Sequence, residues 1–247
     1  MKRILIIGGT SGIGWAVAQQ YLEQGHQVIV SGREPGKIPQ PYPPRLSSIA
    51  CDICQRDQLE ALFASQAEQS LDLVLIAAGF YFRDRFHPLD GATTCRMLQT
   101  NVLGLDLALT LASEHMLRQG FGHLAAIASV AGLLRDYPGA SLYSATKKAV
   151  LQLCETYRIA LRPFGIHVTT LVPGYVNTAK LRELNEQDVS RKPFILSEQD
   201  AAMRILRAID QHKNMLVFPR RMHWLIRLLN CLPAAALKLR RQESVRK

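Results

Sequence analysis

Long apolar runs are missing from this 247-residue chain. No stretch of about 18 apolar residues occurs, so nothing has the length that crosses a bilayer. The opening "MKRILIIGGTSGIG" starts basic, but its apolar run, Ile4 to Ile7, is too short for a secretory leader and gives way to glycine. Cysteine is sparse: the five thiols, Cys51, Cys54, Cys95, Cys154 and Cys231, are odd in number and lack disulfide-like spacing. They are expected to be reduced, in a cytoplasmic compartment. "CDIC" has no second pair and no histidine cluster to hold zinc, so it reads as a redox pair or as small residues flanking a strand end. His26, His87, His115, His123, His167, His212 and His223 fall at no ligand spacing, and no metal site is expected. Acidic residues are nearly absent from the C-terminal tail. Between Arg220 and Lys247 there are eight Lys/Arg and one acid, Glu243, so the tail carries +7 of the formal +10. The rest of the chain is close to neutral.

What is present points to an α/β domain. The chain is 48% hydrophobic and 20% charged, which suits a globular domain with a substantial core. Apolar runs that do not alternate, "RILIIGG", "HQVIVSG", "LSSIACDI", "LDLVLIAAG", "HLAAIAS", "IHVTTLVPG" and "MLVFP", predict buried strands. Helical patterns separate them over 13–24, 55–69, 91–119, 142–161 and 197–212. A proline-rich loop spans 35–44, and 175–193 reads as a mobile substrate loop. Strands covered by helices on both faces imply one doubly wound parallel-sheet domain over 1–219. Residues 220–247 form a basic, amphipathic C-terminal helical extension.

Three local patterns carry chemistry. The first strand runs into Gly8-Gly9-Thr10-Ser11-Gly12-Ile13-Gly14. Glycines at 8, 12 and 14 let the backbone turn tightly beside a pyrophosphate, and the helix that opens there offers N–H groups and a positive dipole end. At the end of the second strand, where an acid would bind ribose hydroxyls, stand Gly32 and Arg33. Nothing there repels a 2′-phosphate, and Arg33 can grip one in a forked contact, so NADP(H) is expected over NAD(H). Finally, "SLYSATKKAV" sets Tyr143 one helical turn ahead of Lys147. An ammonium about 4 Å from a phenolate gains roughly 4 kcal/mol at a near-surface dielectric, which predicts a phenol pKa lowered into working range.

Taken in order, GxxxGxG, Asp52-Ile53, Asn101, Ser129, Tyr143-x-x-x-Lys147 and "PGYVNT" (173–178) resemble the short-chain dehydrogenase/reductases over residues 1 to about 218. The resemblance implies hydride transfer between a nicotinamide and a carbonyl or alcohol. It makes Tyr143 the acid/base, with Lys147 lowering its pKa and holding the nicotinamide ribose. Ser129 is implied to hydrogen-bond the substrate oxygen, and Asn101 to anchor a water leading from Lys147 to solvent. Thr10, Ser11 and Ile13 belong to the implied phosphate turn, Asp52 and Ile53 to the adenine pocket, and Ala78 and Gly79 to the cofactor site. Pro173, Gly174, Val176 and Thr178 are implied to border the nicotinamide, with Thr178 bonding its carboxamide or the phosphates. Two departures stand out. Ala77-Ala78-Gly79 replaces Asn-Ala-Gly, which removes an asparagine that braces the sheet, and the Ser129-to-Tyr143 loop is one residue longer than the commonest spacing.

In the tail, Leu225, Leu228, Leu229 and Leu232 fall at i, i+3, i+4, i+7, with Arg220, Arg221 and Arg227 nearby; Pro233 then interrupts, before Lys238, Arg240 and Arg241. The stripe fits a helix at an anionic membrane surface, one that roofs an apolar substrate pocket, or one packed on its own core or a neighbouring subunit. The tail resembles those of family members that handle hydrophobic carbonyls, which implies a lipid-like or bulky apolar small-molecule carbonyl or alcohol as substrate. Nucleic acid is not, because the basic residues alternate with leucines and the core lacks a matching patch. Small-apolar positions on the two long helices, Ala108-Leu109 and Ala145/Ala149, predict a homodimer or homotetramer. The competing reading is a non-catalytic NADP(H)-binding regulator or scaffold of the same fold.

Overall fold

The computed structural model describes residues 1–38, 43–82, 90–134, 141–190 and 192–231. Part of the longer loop between Ser129 and Tyr143, 135–140, falls outside these residues. So do the expectations for His87, Leu232, Pro233, Lys238, Arg240 and Arg241.

The apolar runs form seven strands: β1 (Arg3–Ile7), β2 (Gln27–Gly32), β3 (Leu46–Ala50), β4 (Leu73–Ile76), β5 (Gly122–Ile127), β6 (Ile166–Pro173) and β7 (Met215–Phe218). They make one parallel sheet in the order β3-β2-β1-β4-β5-β6-β7. The central strands are buried on both sides: Ile4, Leu5 and Ile6 of β1 have no exposed surface. The strand order reverses between β1 and β4, and a crevice at the carboxyl ends of such strands is where this architecture binds ligands.

Helices α1 (Gly12–Glu23), α2 (Arg56–Ala64), α3 (Gly91–Leu98), α4 (Leu105–Gln119), α5 (Leu142–Leu161), α6 (Ala179–Glu183), α7 (Glu198–Asp210) and α8 (Arg220–Cys231) complete the described chain. One face of the sheet is covered by α2, α4 and α5 through Leu59, Leu109, Met116, Val150 and Cys154. The other is covered by α1 and α7 through Val17, Tyr21, Ala201, Ile205 and Ile209.

The structure departs from the sequence expectations in several places: the helix expected over 55–69 ends at Ala64, and the loop expected over 175–193 contains α6. The helix expected over 91–119 is broken by a π-helical turn, Gln99–Gly104. Its last residue is wedged against the chain after β3: a Cβ on Gly104 would lie 2.4 Å from the carbonyl oxygen of Ile53. Turns of this kind recur at functional sites, and this one carries the fully buried Asn101. Ala108 and Leu109, expected to face a partner subunit, are also fully buried in the chain's own core. The second expected pair differs: Ala145 is exposed and Ala149 half-buried, and the larger exposed apolar residues nearby include Leu103, at 65%, and Ile159, at 64%. Last, the buried stripe of α8 runs through Met222, Leu225, Ile226 and Leu229, while Leu228 is 62% exposed. Met222 lies against Gly174, and Asn230 donates to the Leu133 carbonyl at 2.8 Å, so the near side of α8 belongs to the domain core.

The "CDIC" cysteines are unpaired, and burial pushes the Cys51 thiol up to about 11, which favours the reading as small residues at a strand end. The histidines hold a surprise. Strand register pairs His123 with His167, and His212 after α7 joins them, with ring centroids 4.0 to 5.7 Å apart. Burial, then the neighbouring His212 and His167, pushes His123 down to about 3. The folded chain therefore keeps this imidazole neutral, whereas the unfolded chain protonates near the ordinary value of about 6.5. Between those values the unfolded state binds more protons. This contribution to stability is full above about pH 6.5 and is lost as pH falls below it, by up to roughly 1.4 kcal/mol per pH unit. The unfolding midpoint should fall between pH 7 and 5 in thermal melts, and His123→Gln should flatten that slope. An unchanged slope would mean that other groups carry the acid sensitivity.

Candidate active site

The glycine turn after β1 is locked from both sides. The amides of Gly8 and Gly9 donate to the Ser31 carbonyl at 2.8 and 3.0 Å, tying the turn to the end of β2. Gly8 has φ +83°, and a Cβ on it would lie 2.4 Å from the backbone nitrogen of Ala78, at the end of β4. A Cβ on Gly14 would lie 2.3 Å from the Gly8 carbonyl oxygen. Larger residues would push the turn off the sheet. Ser11 precedes α1 in extended backbone, and its hydroxyl makes no cap bond, which leaves the first-turn N–H groups for an anion. Gly12, also at positive φ, faces the methyl of Thr178, so this residue from the far loop closes over the turn. The turn can therefore hold an anionic group at its free amides.

The strand ends beside it hold the other expected residues. A Cβ on Gly32 would lie 2.5 Å from the Thr10 hydroxyl oxygen, so a larger residue there would have to displace the Thr10 side chain. Arg33 follows, exposed and without an ion pair among the described residues. The Asp52 carboxylate accepts from the Cys54 amide at 3.0 Å, and Ile53 is buried in the core beneath Gly104. Ala78 donates to the Ile7 carbonyl at 2.9 Å. Ala77, where an asparagine was expected, packs toward Gly14. At the end of β6, Gly174 donates to the Phe218 carbonyl at 2.7 Å. Beyond Pro173-Gly174, Val176 turns inward and bridges Leu196. The Thr178 hydroxyl caps α6 by accepting from the Leu181 amide at 3.1 Å.

Across the crevice, α5 begins with Ser141, whose hydroxyl accepts from the Ser144 amide and sets the helix's first turn. One face of that turn then presents Tyr143 and Lys147. Ser129 sits beyond the end of β5, accepting from the Ala131 amide at 3.1 Å and hydrogen-bonding the Tyr143 side chain. The turn after Ser129 presses on the helix at Lys147, where a Cβ on Gly132 would lie 2.7 Å from the lysine's carbonyl. Gly132 thus lets the turn after Ser129 pack directly on the helix that carries Tyr143. The Lys147 ammonium is buried and donates to the Ile127 carbonyl at 2.9 Å. Asn101 accepts from the Phe80 amide at 2.7 Å, donates to the Phe80 carbonyl at 2.8 Å and donates to Thr146 at 3.1 Å. Gly79 lies between the two: its Cβ position is 3.6 Å from both the Asn101 oxygen and the Lys147 nitrogen.

The expected electrostatics of the pair needs correction. Burial pushes Tyr143 up to about 12, and the hydrogen bond from Ser129 offsets only part of that. Burial also pushes Lys147 down to about 8. Lys147 is not among the groups that shift the phenol; its ammonium is turned to the Ile127 carbonyl, 5.8 Å from the tyrosine ring centre. In the bare chain, desolvation outweighs attraction between the two. Tyr81 and Tyr175 also lie close enough to raise Tyr143, and the Tyr81 ring meets the Tyr143 ring edge-on at 4.7 Å. Sequence reading missed Tyr81, Thr146 and Gly132, because nothing in their local pattern marks which distant residue they touch.

The family model for short chain dehydrogenases matches residues 2–189. The chain belongs to the short-chain dehydrogenase/reductase family. Relatives in this family include an uncharacterized oxidoreductase of Staphylococcus aureus, 30% identical over 223 residues that cover 87% of this chain and 94% of that protein. An uncharacterized oxidoreductase of Myxococcus xanthus is 29% identical over 97% of this chain and 98% of its own. Among solved structures, a short chain dehydrogenase of Burkholderia cenocepacia in complex with NADP superposes with a TM-score of 0.80. It is 19% identical, over 97% of this chain and 98% of that one, and shares the fold.

Proposed function

We propose that this protein is an NADP(H)-dependent carbonyl reductase acting on apolar substrates. The observation that carries the reading is the convergence of Ser129, Tyr143 and Lys147 at the strand ends, across from a glycine cradle that any Cβ would fill. A bound nicotinamide cofactor would supply or accept the hydride. In this reading Gly8, Thr10, Ser11, Gly12, Ile13 and Gly14 form the phosphate cradle, Asp52 and Ile53 edge the adenine, and Ala78 and Gly79 line the path between them. Pro173, Gly174, Val176 and Thr178 border the nicotinamide end. Arg33, exposed beside a strand end that carries no acid, takes the 2′-phosphate. The named NADP complex of a structural neighbour supports that choice.

The proton chemistry follows from burial. A phenol held up to about 12 keeps its proton at neutral pH, so Tyr143 begins as a donor, the role that carbonyl reduction requires. The Ser129 hydroxyl accepts from the Ala131 amide, and its single O–H, directed to Tyr143 in the free site, would turn to donate to a substrate oxygen placed between the two. Lys147, at about 8, is mostly charged at pH 7 and compensates the phenolate as Tyr143 gives up its proton. Asn101 holds Phe80, and with it the wall that carries Tyr81. Tyr81 and Tyr175 lie beside Tyr143, and this aromatic surround supports the reading of an apolar carbonyl compound.

Steady-state assays against a panel of aldehydes and ketones should show NADPH oxidation. Tyr143→Phe should lower kcat by about 10²–10⁴ while NADPH binding, followed by its fluorescence, is kept. Absence of turnover across the panel would sink the enzyme reading. Arg33→Ala should weaken NADPH on the order of 10- to 100-fold and leave NADH nearly unchanged, since a hydrogen bond to a charged group is worth about 1.5–3 kcal/mol. Equal losses for both cofactors would remove Arg33 from the 2′-phosphate. We also infer a homodimer or homotetramer through the outer surfaces of α5 and of the π-helical turn that leads into α4, where Ile159 and Leu103 are exposed. Light scattering at micromolar concentration tests this, and a monomer would contradict it.

A further inference from the structure

α8 has two unlike faces. Met222 and Ile226 are buried on one, with Leu225 and Leu229 half-buried beside them. On the other, Arg220, Arg221, Trp224, Arg227, Leu228 and Cys231 share an arc of about 120° at 3.6 residues per turn. All six are exposed, Trp224 to 66% and Leu228 to 62%. The Arg227 guanidinium sits 5.6 Å from the centre of the Trp224 ring. No Asp or Glu occurs between Asp210 and Glu243 to neutralise this face from within its own segment.

We infer that this outer face of α8 docks on an anionic lipid surface. The chemistry of the face selects that partner. Trp and Leu need an apolar layer, and three arginines interleaved with them need negative charge at its edge; an anionic headgroup layer over acyl chains supplies both at the required depth. A second copy meeting this face about a two-fold axis would set arginines against arginines. A nucleic acid would pair the charges but offer nothing to Leu228. The same helix covers Gly174 with its inner side, so docking places the cleft rim near the acyl layer. The inference stands apart from the redox reading, because it rests on the outer face alone.

The test is sedimentation of the full chain with phosphatidylcholine vesicles, with and without phosphatidylglycerol. Binding should appear only with phosphatidylglycerol and weaken as salt is raised. Combined Arg220→Gln, Arg221→Gln and Arg227→Gln should weaken it on the order of 100-fold. Trp224→Ala with Leu228→Ala should also weaken it, with the salt dependence kept. Equal binding to both vesicle types, no binding, or binding untouched by these variants would overturn the proposal. The last result would assign attraction to the basic residues beyond 231. Variants that instead split an oligomer in sedimentation velocity would give the face to a second copy and overturn it too. Circular dichroism melts should show that the variants remain folded. NADPH oxidation without vesicles should be unchanged in them, which separates failure of docking from failure of the redox reading.

Discussion

A buried ammonium bound to a strand-end carbonyl organises the site. Lys147 extends from α5 under the crevice and donates to the Ile127 carbonyl at 2.9 Å. A lone buried cation is costly, and a hydrogen-bond acceptor at this distance offsets part of that cost. The bond also fixes the rotation of α5 about its axis. With Lys147 pinned to β5, the residue one turn earlier must face the same crevice, where Ser129 meets it. Two glycines give the lysine its room: Gly132 lets the turn after Ser129 press on the helix backbone, and Gly79 leaves space beside the ammonium.

The same desolvation that anchors Lys147 reverses the simplest account of Tyr143. Two opposite charges near a surface would lower a phenol's pKa. In this crevice both groups lose water, so each is driven toward its neutral form. The attraction becomes useful only when the tyrosine parts with its proton. In the proposed reduction, the resting phenol would donate and the lysine beside it would compensate the charge afterwards.

Much of the scaffold was legible because its signals are local. Buried parallel strands need apolar residues on both sides, so β1, β4 and β5 could be read directly. α5 starts and ends where its pattern predicted. The glycine turn was readable because positive φ and close backbone approach leave few alternatives to glycine. Less legible were features set by neighbours distant in sequence. The break in the long helix at Gln99–Gly104 reflects contact with Ile53, about 50 residues earlier. The stripe on α8 was misplaced because leucine spacing shows only that a helix is amphipathic; Gly174 and Leu133 determine which side is covered. Ala108 and Leu109 looked available to a partner, but they fill the space beside the sheet.

From its own order of residues, the chain settles the α/β alternation, the glycine turn, the Tyr143–Lys147 spacing and the charge of its tail. Periodicity, backbone freedom and net charge act over a few residues, so they survive without coordinates. Only the tertiary structure decides that three separated histidines cluster, that Tyr81 leans on Tyr143, and that burial outweighs attraction in setting the two ionisable groups. Those outcomes depend on which surfaces lose water together, and water exclusion is a property of the packed whole.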